Sequence, residues 1–243
     1  MELDWIELIL LSLIAMGGGF IQRVTGFGLG IFVMLFLPYL FSAHTDAATI
    51  SSLFSAGAST YNAIRYRKDI PFKTVLPALI AALVTIPIAV MFAKYVSANV
   101  FDILLGSVLI LLSIYFLFFN QRIRIRPTVL NSAIAGGFGG TLTGLFSTGG
   151  PPIVLFLTNA ISDPKIYFAA TQFYFSITSL YATGTRAING ILTWELLLYA
   201  GIGMIGCLIG NLLGKLVFDK LNAKRLKQII YIAMIVSGIL MIL

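Results

Sequence analysis

Apolar residues run along the chain in ten blocks, at about 5–22, 24–42, 46–64, 71–93, 99–119, 128–146, 149–161, 166–185, 194–218 and 226–243. The blocks are uniformly apolar, whereas the strands of a membrane β-barrel alternate over about ten residues. Helices are the reading that remains. Crossing the hydrocarbon core takes ~20 mainly apolar residues, within about 17–25, so ten such blocks take up almost the whole chain. The gaps carry residues that stop helices: Pro71, Asn120-Gln121, Pro127, Gly149-Gly150-Pro151-Pro152, Asp163-Pro164 and Asn222. The expected fold is an all-α polytopic membrane protein.

Composition supports this. The 243 residues are 59% hydrophobic and 10% charged, against roughly 45–50% and about 25% in soluble domains. A soluble enzyme on one apolar anchor is excluded, because the apolar residues run from end to end. The basic residues collect in three loops: Arg65, Arg67, Lys68 and Lys73; then Arg122, Arg124 and Arg126; then Lys215, Lys220, Lys224, Arg225 and Lys227. Lys and Arg accumulate on the cytoplasmic side of membrane proteins, and with ten blocks all three loops fall on one side. Both termini are then expected outside the cytoplasm of a plasma-membrane protein. The net charge of +7 is thereby a topology signal, and nucleic acid is not an expected partner. The acidic start (Glu2, Asp4, Glu7) argues against a cleaved signal peptide, which needs a basic leader. Cys207 stands alone in an apolar block and reads as a buried packing residue.

The two halves of the chain resemble one another. Gly18-Gly19-Phe20-Ile21-Gln22-Arg23-Val24-Thr25-Gly26 recurs as Gly136-Gly137-Phe138-Gly139-Gly140-Thr141-Leu142-Thr143-Gly144. Phe54-Ser55 and Arg65 correspond in the same way to Phe175-Ser176 and Arg186. Each half holds five apolar blocks, an odd number, so the second copy enters the membrane from the opposite side. That is the inverted repeat from which many secondary transporters are built. The expected organisation is a first repeat at 1–120, a cytoplasmic basic linker at 121–127 and a second repeat at 128–243. Blocks 5–42 and 128–161 can be two crossings each, or hairpins that dip in and return.

Glycine costs about 1 kcal/mol in a helix relative to Ala, so its clusters need a reason. Gly206, Gly210 and Gly214 stand four apart and suit close helix packing. Thr25-Gly26-Phe27-Gly28 and Thr143-Gly144 through Ser147-Thr148-Gly149-Gly150 set helix breakers beside hydroxyls in mid-block. Both are expected to be interrupted helices near the bilayer midplane, with Pro151 and Pro152 opening a new helix. Helix N-termini there attract an anion through free N–H groups and partial positive charge. Arg23 lies in the first motif without an acidic neighbour, at a cost of ~2.5–3.5 kcal/mol in a helix centre, which suggests a ligand as counter-ion; snorkelling to the cytoplasmic edge or pairing with a distant carboxylate is the other reading. Gln22 could donate to the same oxyanion. The candidate substrate-binding residues are Gln22, Arg23, Thr25, Gly26, Phe27, Gly28, Thr143, Gly144, Ser147, Thr148, Gly149 and Gly150, with Arg65 and Arg186 at the two mouths of the pathway. Gln172, Asn62, Asn131 and Asn159 line a cavity or bond between helices; the sequence does not separate these. The pair His44/Asp46 is too sparse for a metal site, and Glu195 and Asp102 at block starts do not make a buried proton relay. Catalytic pairs are absent, so neither an enzyme nor a cofactor is expected.

The paired motifs, Gly18-Gly19-Phe20 through Gly26-Phe27-Gly28 and Gly136-Gly137-Phe138 through Gly144 with Gly149-Gly150-Pro151-Pro152, resemble those of the TauE/SafE sulfite exporter family. The similarity extends over the whole chain. It implies a membrane carrier for sulfur-containing anions: sulfite, sulfoacetate or another organosulfonate, or thiosulfate. Gln22 and Arg23 are not part of the general pattern. The direction is open, so export and import of thiosulfate or a sulfonate both remain, as does assembly as a homodimer in the bilayer. A carrier of another small organic anion or neutral metabolite, and an assembly protein whose glycines only pack, are the rival readings.

Overall fold

A computed structural model describes residues 4–119, 125–217 and 223–243. Its helices are α1 (Trp5–Thr25), α2 (Leu29–Met34), α3 (Leu37–Leu40), α4 (His44–Arg65), α5 (Phe72–Tyr95), α6 (Ala98–Ile114), α7 (Val129–Phe146), α8 (Gly150–Ala160), α9 (Pro164–Ile188), α10 (Trp194–Val217) and α11 (Ala223–Ile242). A π-helical turn, Tyr115–Phe119, continues α6. All regular elements among the described residues are helical. The basic linker expected at 121–127 lies outside the described residues as far as 124, and so do Lys220 and Asn222.

Local chemistry sets the helix starts. Asp4 and Glu7 form a reciprocal capping box at α1. Thr128 caps α7, and Asp163 accepts from the N–H groups of Lys165 and Ile166 at α9, with Pro164 in its first turn. Among the described residues five helices are long and apolar enough to cross a membrane: α1, α5, α6 with its π turn, α7 and α10. The second apolar block divides into α2 and α3, of six and four residues, too short for a crossing. Helix α8, with 11 residues, is about 16 Å long at 1.5 Å per residue, roughly half of a ~30 Å hydrocarbon core. In both halves a full-length helix is thus followed by a short one.

The packing has an exchange pattern. The first helix of each half lies along the last helix but one of the other: α1 on α10, and α7 on α5. Helices α4 and α9 pack on each other at the centre, and α6 packs on α11. Small residues make the long contacts close. A Cβ added at Gly206, Gly210 or Gly214 of α10 would strike the α1 backbone at Ser12, Met16 or Phe20. Along α7, Gly136, Gly140 and Gly144 meet Ala78, Ala82 and Ile86 of α5 in the same way. Helix packing therefore takes part of the second glycine motif as well as the α10 stripe.

The central pair α4 and α9 is built differently. Its shared face is small and hydroxylated: Thr60 bonds Ser176 at 2.7 Å, Ser179 donates to Ser55 at 2.9 Å, and the Ser52 hydroxyl donates to the Ser179 carbonyl. Polar side chains cluster there, at the core of an otherwise apolar bundle. Cys207 is buried and free, as a packing residue would be.

Candidate functional site

The two helix ends after α1 and α7 come together beside this polar face. Helix α1 closes with Gly26 in the left-handed region (φ 83°), its N–H donating to the Gln22 carbonyl. Gly28 (φ 93°) then opens α2. At the end of α7 the left-handed position is taken by Ser147 (φ 56°), a strained choice for a residue with a side chain. Its hydroxyl donates to the Ala48 carbonyl at 2.6 Å, which holds that geometry. The two turns touch, since a Cβ on Gly30 would overlap the Ser147 carbonyl; within the second turn, one on Gly149 would overlap the Gly139 carbonyl. Glycine is required at 30 and 149 because backbone approaches backbone.

Between the turns lies a cavity of about 30 Å³, room for about two waters. Gln22, Phe27 and Gly28–Ile31 line one side, and Thr143 with Ser147–Gly150 the other; Ser55 of α4 and Phe175 and Ser179 of α9 close it. Ser55 lies at the middle of α4, and Phe175 and Ser179 bracket the middle of α9. The polar groups are unevenly satisfied. The Gln22 side-chain oxygen and the Thr148 hydroxyl have no partner among the described residues, although each residue is only 1% exposed. Helix α2 makes its first bond from Phe32 N–H to the Gly28 carbonyl, so the N–H groups of Leu29, Gly30 and Ile31 have no partner within their helix. Pro151 and Pro152 carry no N–H, which leaves Gly150 as the first donor of α8. Among the described residues no carboxylate lines the cavity.

A polar seal bounds this cavity on the side of the α4–α5 basic loop. The Gln22 amide donates to Ser59 at 2.7 Å and to Gln172 at 3.0 Å. Asn62 donates to the same Gln172 oxygen at 3.3 Å, and the Gln172 amide caps the Gly26 carbonyl at 2.9 Å. Arg23 lies beyond the seal. Its guanidinium donates to Asn62 at 3.4 Å and to the Tyr66 hydroxyl at 3.0 Å, and it rests over the Phe168 and Tyr66 rings at 5.0 and 5.6 Å. Burial would raise the Tyr66 phenol, but hydrogen bonding and charge from Arg23 and Arg65 outweigh it and hold its pKa below the ordinary value. Arg23, Thr25 and Gly26 line a second cavity, of about 540 Å³.

The other candidates fall as follows. The Thr25 hydroxyl is engaged locally, with the Ile21 and Phe27 carbonyls, and that of Thr143 with the Gly139 carbonyl. Gly144 faces α5. Arg186 is 2% exposed and caps α7, donating to the Thr143 and Gly144 carbonyls at 3.1 and 2.9 Å. Its other terminal nitrogen is unpartnered. Arg65 is exposed at the end of α4. Gln22, Phe27, Gly28, Thr143, Ser147, Thr148, Gly149 and Gly150 thus share the central cavity, while Arg23, Thr25, Gly26, Gly144, Arg65 and Arg186 lie around it. Ser55, Phe175, Ser179 and Leu29–Ile31 line the cavity without a distinguishing signal in the sequence. Gln172 and Asn62 did carry one, as amides inside apolar blocks, and they prove to bond between helices. His44 pairs with Asp102 at 3.4 Å, joining the starts of α4 and α6. Among the described residues no three His, Cys, Asp or Glu groups gather as for a metal.

Residues 11–241 match the family model described as Sulfite exporter TauE/SafE. The chain belongs to this family. It is 28% identical over 207 residues to the probable sulfite/organosulfonate exporter TauE of Cupriavidus necator, covering 82% of this chain and 79% of that protein. No solved structure matches. Family and apolar helices together make it a multi-pass membrane protein of transport.

Proposed function

We propose that this chain is a secondary transporter that exports a small sulfur-containing anion, sulfite or an organosulfonate, held between the ends of α1 and α7 and moved by alternating access. The observation that carries the reading is the central cavity, lined by the first turns of α2 and α8 and by the unpartnered Thr148 hydroxyl, with no carboxylate among the described residues. Such donors suit an oxyanion. The unpartnered Gln22 oxygen accepts from a bound water or from the O–H of a protonated anion. Gln22, Phe27, Gly28, Thr143, Ser147, Thr148, Gly149 and Gly150 form the binding site; Arg186 and Arg65 contribute positive potential from either end.

The halves act as inverted repeats with interrupted helices near the bilayer midplane. The exchanged packing of α1 on α10 and α7 on α5 supports this. So do the left-handed closures at Gly26 and Ser147, which are separated in sequence by the same offset as Phe54-Ser55 and Phe175-Ser176. At about 30 Å³ the cavity is a contracted state, and loading separates the two turns as one repeat rocks against the other. With both termini outside the cytoplasm, an inside-negative potential contributes ~2.3 kcal/mol per charge per 100 mV to expelling the anion. Export then needs no obligatory cation.

Helix ends bind oxyanions of many kinds, so a carrier of another organic anion is the second reading. A thermal-shift panel on purified protein with sulfite, sulfoacetate, thiosulfate, lactate and phosphate separates the two, because a ligand of the folded state raises Tm. A shift confined to the sulfur anions, with flux of the same anions from proteoliposomes, is expected. Shifts with lactate or phosphate alone overturn the assignment.

A further inference from the structure

The second cavity, of about 540 Å³, lies between the C-terminal ends of α1, α4 and α10 and the N-terminal end of α9. It sits at the same end of the bundle as the basic loop: Lys165 of its lining pairs with Asp69 of that loop at 2.9 Å. Three cations face it from three helices, Arg23, Lys165 and Lys215. Only Lys165 has a carboxylate partner among the described residues. Arg23 is half-buried, and the partners it has are neutral, Asn62 and Tyr66. Two of the five donors of a guanidinium are thereby used. Apart from Thr25, the rest of the wall is aromatic or apolar, including Tyr66, Tyr167 and Phe168.

We propose that this cavity is an antechamber, a second anion site that receives a small oxyanion with a carbon body and is separated from the central cavity by the Gln22–Gln172–Asn62 seal. The proposal rests on the transport reading above and adds a site to it. Size separates the two cavities: the antechamber holds a whole organic anion with its headgroup on Arg23 and Lys215, whereas the central cavity in this state holds about two waters. Connection follows from the hydrogen bonds. Arg23 reaches the seal only through Asn62, at 3.4 Å the longest bond of the chain from Arg23 to Gln22. An anion on Arg23 competes for that donor, frees Asn62 and loosens the seal at its outer end. Arrival in the antechamber and opening toward the central cavity are coupled through one side chain.

The test is equilibrium binding of radiolabelled sulfoacetate to the purified full chain, with circular dichroism and Tm as checks on folding. Wild type is expected to bind two anions per chain. Arg23→Gln should weaken one of them by about tenfold, the range for hydrogen bonds to a charged group. Lys215→Gln, an exposed change that spares the packing, should weaken the same one by about threefold. Thr148→Val should weaken only the other. Two bound anions that are both indifferent to Arg23→Gln and Lys215→Gln overturn the antechamber. So does a single bound anion lost in Thr148→Val and kept in Lys215→Gln, which leaves the central site standing. A single anion sensitive to Lys215→Gln and indifferent to Thr148→Val keeps the antechamber and sinks the central site instead.

Discussion

Gln22 donates its side-chain amide to the Gln172 oxygen at 3.0 Å, while its own oxygen, at the central cavity, has no partner. One residue therefore closes the seal and offers an open acceptor to the site. Gln172 is the more heavily committed of the two, since it also accepts from Asn62 and caps the Gly26 carbonyl. Gln22→Leu breaks two bonds and also removes the unpartnered oxygen. Gln172→Leu strands the Gly26 carbonyl and the Asn62 amide and leaves the Gln22 amide with Ser59 alone. Each stranded buried group costs about 1–3 kcal/mol. Gln172→Leu is expected to lower Tm clearly more than Gln22→Leu, and the double variant to fall short of the sum, because the two share a bond. Equal losses that add would show the seal is not one network.

The contact between the two turns gives a test with an internal control. Gly30→Ala sets a methyl on the Ser147 carbonyl, backbone that is itself held by Ala48. Overpacking of this kind costs typically about 1–3 kcal/mol, and moving the turns apart should also abolish saturable flux. Gly201, within α10, has nothing within 4 Å of its added Cβ. Gly201→Ala should leave flux unchanged and stabilise by up to about 1 kcal/mol. Normal flux in Gly30→Ala would remove the close approach from the mechanism.

Hydropathy alone places α4, α5, α6, α7, α9 and α10 to within a few residues, since lipid demands long apolar helices. The glycine and hydroxyl motifs likewise mark the turns that border the central cavity. What cannot be read is which face of a helix turns inward. Gln22 and Arg23 are neighbours in sequence, but successive residues of an α-helix are about 100° apart around its axis. Gln22 therefore lines the central cavity and Arg23 the antechamber. Similarly, Gly144 looks like its neighbours in the motif but faces α5. Ser55 and Ser179 are ordinary hydroxyls in sequence, and only the docking of α4 on α9 makes them cavity wall.

Arg186 stabilises α7 by its position against the helix C-terminus, where carbonyls and the helix dipole favour a cation. Arg186→Met leaves the Thr143 and Gly144 carbonyls without this donor and removes positive charge beside Thr143, a cavity residue. It is expected to lower stability by about 1–3 kcal/mol and to reduce anion affinity. Arg186→Lys keeps the charge but not the planar fork, so it should restore affinity more than stability. Tm and sulfoacetate binding measured on both variants check this. Affinity that follows stability across the pair would give Arg186 a purely structural role.

Thr148 separates function from folding most cleanly. Its hydroxyl is buried, without a protein partner, and it lines the central cavity beside Gly149 and Gly150. A buried hydroxyl with no hydrogen bond is a cost to the folded protein. Thr148→Val replaces it with a methyl of nearly the same shape, so Tm should stay the same or rise. A bound oxyanion would lose one donor, worth roughly 1.5–3 kcal/mol to a charged acceptor, or a Kd weaker by about tenfold to a hundredfold. Stability and affinity are thus expected to move in opposite directions in one variant. Thermal melting and sulfoacetate binding read them independently. If Thr148→Val is as stable as wild type and binds just as tightly, the hydroxyl meets no substrate, and the central cavity loses the side chain that most specifically asks for one.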